Sequence, residues 1–135
     1  PPLVSGVGVR LPSPLTATGR AILSALPRNQ VRALYPNRQA FTDRTGIGPK
    51  SPKELEATLA ETQRTGFAEE HGDVTPGFDS YAVAVRDYND FPIAGLALTF
   101  VSGSLRPEQE RSLKTKLRLA GTELSRRLGA VGSLT

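Results

Sequence analysis

The 135-residue chain is predicted to be an α+β domain, an antiparallel sheet with helices packed on it. Three observations predict this. Two apolar runs, YAVAVR at 81–86 and PIAGLALTFV at 92–101, flank the polar turn Asp87-Tyr88-Asn89-Asp90, as in a β-hairpin. Residues 51–66 carry both the start and the stop signals of a helix. Leu113, Leu117, Ala120, Leu124 and Leu128 are spaced four, three, four and four, which is one face of a long helix.

In chain order, VSGVGVR at 4–10 alternates apolar with small or polar residues and reads as a strand weakened by Gly6 and Gly8. Pro12 and Pro14 keep 11–14 extended or turning. Thr16 and Thr18 are good N-cap residues, and Ala17, Ala21, Ile22, Leu23, Ala25 and Leu26 follow as a helix ended by Pro27. Its slim start, Thr16 to Gly19, leaves free N–H groups at the positive end of the helix dipole, a natural anion site. An ordinary capped helix is the plainer reading of these residues taken alone.

Residues 28–35 form a short second helix with Val31 and Leu34 inward, and 37–50 is loop. Ser51 caps the next helix, Pro52 suits its first turn, Glu54 completes a capping box, and Gly66 closes it, with Leu55, Thr58, Leu59 and Thr62 on one face. A short strand at 67–71 and a turn-rich loop at 72–77 lead to the hairpin. Ala84, Ala94, Gly95 and Ala97 leave the sheet surface low, so something should pack closely on it. The last helix begins at Pro107 and ends near Gly129.

Composition narrows the function classes. An apolar share of 38% and a charged share of 22% are ordinary for a single soluble domain. With no Cys, disulfides and thiolate metal sites are excluded. No apolar run reaches membrane-spanning length and no signal peptide is visible, so no membrane partner is expected. Opening on Pro1-Pro2 and lacking Met, the chain is expected to be a piece of a larger protein. Its net charge of +4 is carried by residues 106–128, with seven basic and three acidic side chains. A basic helix could touch nucleic acid, but this one has no interleaved aromatics and no docking motif, and a solvated face is the better reading.

No catalytic set emerges. His71 is the only histidine, there is no G-x-S-x-G elbow and no P-loop, and Gly6-x-Gly8 lacks the third glycine of a dinucleotide fingerprint. Glu69, Glu70, His71 and Asp73 could bind a metal, but one histidine among carboxylates on a turn reads better as a solvated loop. Neither enzyme activity, cofactor nor metal is expected.

The segment LPSPLTATGRAIL resembles the signature of IclR-type transcriptional regulators, in their C-terminal effector-binding domain: Leu11, Pro12, Thr16, Ala17, Gly19, Arg20, Ala21 and Leu23 match it. LEATLAETQRTGF is similar to the family's helix ending Arg-x-x-Gly-aromatic, and Gly77 stands where the family has its strand-entry glycine. YAVAVRD, GLALTFVSGSLRPEQ and LAGTELSRRLG follow in the family's order and spacing.

The resemblance implies a GAF-like fold, an antiparallel sheet with helices on both faces. It also implies a cytoplasmic bacterial regulator whose N-terminal winged helix-turn-helix domain is absent from this chain. Residues 1–135 would be a partial effector-binding domain, short of its first strands and helix by about forty to fifty residues. By position, the family site falls on the N–H groups of Ala17 and Thr18, on Glu70 and Ser80, and on the two small polar positions of the third strand, Thr99 and Val101. Asp79 sits where Arg is frequent, Ser13 and Pro14 replace bulkier residues, and Val101 cannot hydrogen-bond where Ser is common, so a ligand oxygen held at 101 is not expected and a more apolar effector is favoured. The expectation is a small organic effector, a carboxylate by the chemistry of the helix start, with self-association to a dimer or tetramer and operator DNA reached only through the absent domain. A GAF-like module that assembles subunits without a ligand is the alternative.

Overall fold

The protein's structure, a computed structural model, describes residues 13–130. The strand expected at 4–10 lies outside the described residues. A 3-10 turn, Ser13–Leu15, leads into α1 (Ala17–Ala25), followed by α2 (Arg28–Leu34), a second 3-10 turn at Arg38–Ala40, and α3 (Pro52–Thr65). Then come β1 (Ala68–His71), β2 (Phe78–Arg86), β3 (Pro92–Val101) and α4 (Pro107–Arg127).

The local signals act as read. Thr16 caps α1 by accepting from the Gly19 N–H at 2.9 Å, and Ser51 caps α3 by accepting from the Glu54 N–H at 3.2 Å. Glu54 reaches back one residue further than a simple capping box, to the Lys50 N–H at 3.1 Å. Gly66 ends α3 with φ 84°, which only glycine adopts without strain. Gln109 turns back to the Arg106 N–H at 2.9 Å and fixes the start of α4.

The three strands form an antiparallel meander in the order β1-β2-β3. β2 begins three residues before the apolar run predicted it, because Phe78, Asp79 and Ser80 pair with Val101, Phe100 and Thr99. The register sets residues in rows across the sheet. Ala68, Ala82 and Ala97 form one row, and Glu70, Ser80 and Thr99 form another on the same face. α1 lies across this face, with Ala17 and Ala21 against Ala68 and Ala82. The alanines gain little transfer energy themselves, but they let the helix sit low on the strands. A β-carbon on Gly95 would lie 2.8 Å from Cβ of Thr18. The low surface expected at Ala84, Gly95 and Ala97 is therefore covered by α1, whereas Ala94 is exposed.

The opposite face carries Tyr81, Val83, Leu96, Leu98 and Phe100, with α4 and its buried Leu117 on top. A third cluster joins Leu23 of α1, Val31 of α2, and Leu55 and Leu59 of α3. Leu34, expected to point inward, is 53% exposed.

α4 departs from its apolar stripe. Its buried residues are Leu117, Gly121 and Ser125, while Ala120, Leu124 and Leu128 are exposed. Two contacts explain the rotation. A β-carbon on Gly121 would lie 2.6 Å from Cγ2 of Val83, so only glycine admits this close an approach, and the Ser125 hydroxyl accepts from the Arg86 N–H at 3.0 Å.

Candidate functional site

The N-terminus of α1 opens over the end of the sheet. Thr16 spends its side chain on Gly19, and the Arg20 N–H already bonds the Thr16 carbonyl. The N–H groups of Ala17 and Thr18 have no partner among the described residues. They stand at the positive end of the α1 dipole, where an anion is stabilised by about 0.3–1 kcal/mol from the dipole alone.

Beneath them is a cavity of about 150 Å³. Thr16, Ala17 and Thr18 form its helix side, and Glu70, Ser80, Ala97 and Thr99 its sheet side. Val74 and Thr75, from the loop between β1 and β2, close it together with Phe78. Strand alternation decides which side chains reach it: Ser80 and Thr99 share a face, and their hydroxyls lie 2.9 Å apart. Leu98 and Phe100 point to the α4 side instead.

Five of the six residues expected from sequence thus line one cavity. Val101 does not. It pairs with Phe78 at the end of the hairpin and is 54% exposed.

Glu70 is buried, and burial raises its carboxyl above the ordinary glutamate value. The Ser80 hydroxyl and the Asp73 N–H, the latter at 3.1 Å, act the other way by donating to the carboxylate. The sequence-adjacent acids are separated by the sheet. Glu69 faces the other side, where it meets Lys114 at 3.1 Å and His71 at 3.4 Å, and His71 also meets Asp79 at 3.0 Å. Among the described residues no three His, Cys, Asp or Glu side chains are grouped so as to hold a metal ion.

Behind the cavity stand two residues that the sequence marks for other reasons, Arg20 as part of the family signature and Asp73 as a possible metal ligand. Arg20 is 5% exposed and Asp73 is 3% exposed, and they form a buried ion pair behind the cavity wall. Arg20 also donates to the Pro14 carbonyl at 2.8 Å and the Glu69 carbonyl at 2.6 Å. One guanidinium therefore ties the turn before α1, strand β1 and the loop 72–77 into a single frame. A signal existed: the helical period puts Arg20 on the same face as Ala17, Ala21 and Ser24, an apolar and small face that a lone cation joins only with partners.

Larger hollows lie elsewhere. One of about 360 Å³ runs between the C-terminal ends of α1 and α3 and the side of α4, and one of about 290 Å³ lies under α2 among leucines. The first is bounded by helix C-termini and the second is largely apolar. Neither these nor a hollow of about 400 Å³ along α3 and β1 sets unpaired N–H groups opposite buried polar side chains, so volume is outweighed here by chemistry.

The domain is thus α+β, with helices on both faces of its sheet and a small polar cavity at a helix N-terminus. Residues 2–126 match the sequence model of the family described as bacterial transcriptional regulator IclR C-terminal. The chain belongs to this family. It is 30% identical over 125 residues to the HTH-type transcriptional regulator XynR of Escherichia coli K12, covering 93% of this chain and 49% of that protein. It is 31% identical to the glycerol operon regulatory protein of Streptomyces coelicolor, over 92% of this chain and 48% of that protein. The chain therefore spans about half the length of these relatives.

Among solved structures it superposes on the Agobacterium tumefaciens repressor BlcR with a TM-score of 0.78 at 31% identity, covering 93% of this chain and 51% of that one. It shares its fold with the inducer-binding domain of the Acinetobacter transcription factor PobR, in complex with 3-hydroxybenzoic acid, at a TM-score of 0.75 and 22% identity over 93% of this chain and 71% of that one. Among the described residues no helix is long and apolar enough to cross a membrane.

Proposed function

We propose that this chain is the effector-sensing and subunit-assembling part of a cytoplasmic DNA-binding regulator, without enzymatic activity, and that its effector is a compact organic acid. The observation that carries the reading is the juxtaposition across one cavity of the Ala17 and Thr18 N–H groups, unpartnered among the described residues, with the row Glu70, Ser80 and Thr99. The carboxylate end of the ligand lies at Ala17 and Thr18, and its polar far end meets the hydroxyls of Ser80 and Thr99. An ionised Glu70 would repel a carboxylate placed beside it, which favours this orientation. Val101 contributes a rim position at most.

Size limits the ligand. Drug-sized sites begin at about 300 Å³. A cavity of about 150 Å³ that opens to solvent suits a compact molecule. The same fold holds 3-hydroxybenzoic acid in a double mutant of the PobR inducer-binding domain, which supports an organic acid as the class of ligand. Operator DNA is contacted through an N-terminal domain outside this chain. Paired operator half-sites would call for a symmetric dimer or a higher even assembly.

The test is a thermal-shift screen of small mono- and dicarboxylates on the intact regulator, followed by calorimetry. An effector at a hundredfold excess over its dissociation constant stabilises by about 2.7 kcal/mol. A screen in which no acid raises the melting temperature would leave an assembly module without a ligand. Sedimentation tests assembly separately, and a strict monomer at high concentration would remove that half of the reading.

A further inference from the structure

We propose that Arg20 and Asp73, neither of which reaches the cavity, determine its specificity: they hold the carboxyl of Glu70 at the head of the row Glu70, Ser80, Thr99 and so set the direction in which the hydrogen bonds of that row run. The proposal rests on the reading of this cavity as the effector site.

The register makes the row continuous. Glu70 is the cross-strand partner of Ser80, and Ser80 of Thr99. Glu70 and Ser80 face the cavity side by side, where the hydroxyl favours the ionised carboxyl as a donor, and the Ser80 and Thr99 hydroxyls are 2.9 Å apart. Each hydroxyl owns one proton, and an ionised carboxylate only accepts. When Glu70 is ionised, Ser80 donates to it and Thr99 donates to Ser80. The outer oxygen of Thr99, on the exposed end of the row, then has only lone pairs to offer, and the ligand must donate there. When Glu70 carries a proton, the row reverses: Glu70 donates to Ser80, Ser80 to Thr99, and Thr99 turns its own proton outward. The ligand must then accept. One proton at the buried end exchanges a hydroxyl-bearing acid for the matching keto acid as the preferred guest.

The charged groups that face Glu70 are Arg20 from α1 and Asp73 from the loop 72–77, while β2 and β3 present only hydroxyls. Arg20 favours the ionised form and Asp73 opposes it. Although they are bonded to each other, their effects on Glu70 have opposite sign. Neither can drift: Arg20 is anchored on Pro14 and Glu69, and Asp73 accepts the His71 N–H at 3.3 Å while its own N–H holds one Glu70 oxygen. The pair thus acts on specificity as positioning residues, through Glu70 and not by touching the ligand.

The test uses the intact regulator with 13C-labelled glutamate carboxyls, Glu70 being assigned by the signal lost in Glu70→Gln. The titration midpoint of Glu70 should rise in Arg20→Gln, fall in Asp73→Asn, stay near wild type in Arg20→Lys, and return toward wild type in the Arg20→Gln/Asp73→Asn double variant. Midpoints that stay put, or that move the same way in both single variants, overturn the proposal, since a merely structural role predicts no opposition of sign. Should Arg20→Gln fail to fold, the fall in Asp73→Asn decides alone.

A second arm measures 3-hydroxybutyrate against acetoacetate by calorimetry at constant pH. The affinity ratio should shift toward acetoacetate in Arg20→Gln and toward 3-hydroxybutyrate in Asp73→Asn, by up to about tenfold for each unit the midpoint moves. A ratio that does not follow the midpoint overturns the link to specificity. If no small acid binds the wild-type protein, the effector reading fails, and the titration still settles whether the row is governed from behind.

Discussion

Gly95 of β3 and Thr18 of α1 meet so closely that a β-carbon on the glycine would lie 2.8 Å from the threonine Cβ and 3.1 Å from its Cα. The near atoms are the helix Cα and the Cβ whose place it fixes, so rotamer change cannot relieve the clash. Gly95→Ala should lift the start of α1 from the sheet. Overpacking of this kind costs about 1–3 kcal/mol. Urea denaturation should show that loss, and effector affinity should fall because the Ala17 and Thr18 N–H groups move with the helix. Wild-type stability in Gly95→Ala would mean that α1 rides freely on the strands.

The seam of α4 gives a prediction that reverses its sequence pattern. Ser125 is buried with its hydroxyl on the Arg86 N–H, whereas Leu124 is 41% exposed. Ser125→Ala leaves a partly buried N–H unsatisfied, at a cost of about 1–3 kcal/mol. Leu124→Ala should cost about 1 kcal/mol or less, because much of that side chain is already in water. The same denaturation series checks the order of the two variants.

That reversal marks where the sequence stops being legible. α3 could be read because its signals are local: Ser51, Pro52, Glu54 and Gly66 act on their own backbone neighbours. β3 was bounded at Pro92–Val101 because its apolar run and the polar turn before it are both contiguous. The rotation of α4 was not legible, since it depends on Gly121 meeting Val83, a contact between residues far apart in the chain. The start of β2 was missed because Asp79 and Ser80 interrupt the apolar pattern, and only pairing with Thr99 and Phe100 makes them strand. For the cavity, Ala17, Thr18, Glu70, Ser80 and Thr99 came from a family pattern. Val74 and Thr75, which close the cavity, lie on a loop without periodicity and could not be anticipated.

Two titrations should shape stability against pH, with opposite causes. Burial raises the Glu70 carboxyl, so the folded state holds its proton more tightly than the unfolded chain. Stability from this group therefore declines as pH rises from the ordinary glutamate value through the raised one, and stays lower above it. Glu70→Gln, which can still accept from the Asp73 N–H, should abolish that decline and equal or exceed wild-type stability at neutral pH.

His71 is different in origin. Burial disfavours its charged form, but hydrogen bonds to Asp79 and Glu69 outweigh burial and raise its value above 6.5. Its contribution is complete below the ordinary histidine value and is lost as pH rises through the raised one. Its side chain is 54% exposed, so the effect is damped by solvent. Chemical denaturation across pH in wild type, Glu70→Gln and His71→Gln separates the two, and a His71→Gln profile identical to wild type would remove His71 from the account.

The cavity itself carries the last prediction. Thr18 sits between the free N–H groups and the Gly95 strand, and the space beneath it is about 150 Å³. Thr18→Leu adds bulk where the ligand carboxylate would approach, and little room remains to absorb it. Binding of the acid found in the screen should be lost, with helix propensity kept and any cost of crowding Gly95 read from the same denaturation series. Ser80→Ala acts more gently. It removes one hydroxyl from the middle of the row, leaves Thr99 and Glu70 unconnected, and should weaken binding by roughly 1 kcal/mol or more. Val101→Ala, at an exposed position outside the lining, should leave affinity unchanged. Calorimetry on the three variants of the intact regulator decides. A wild-type dissociation constant in both Thr18→Leu and Ser80→Ala would move the site out of this cavity, and a large loss in Val101→Ala would extend the site to the hairpin end.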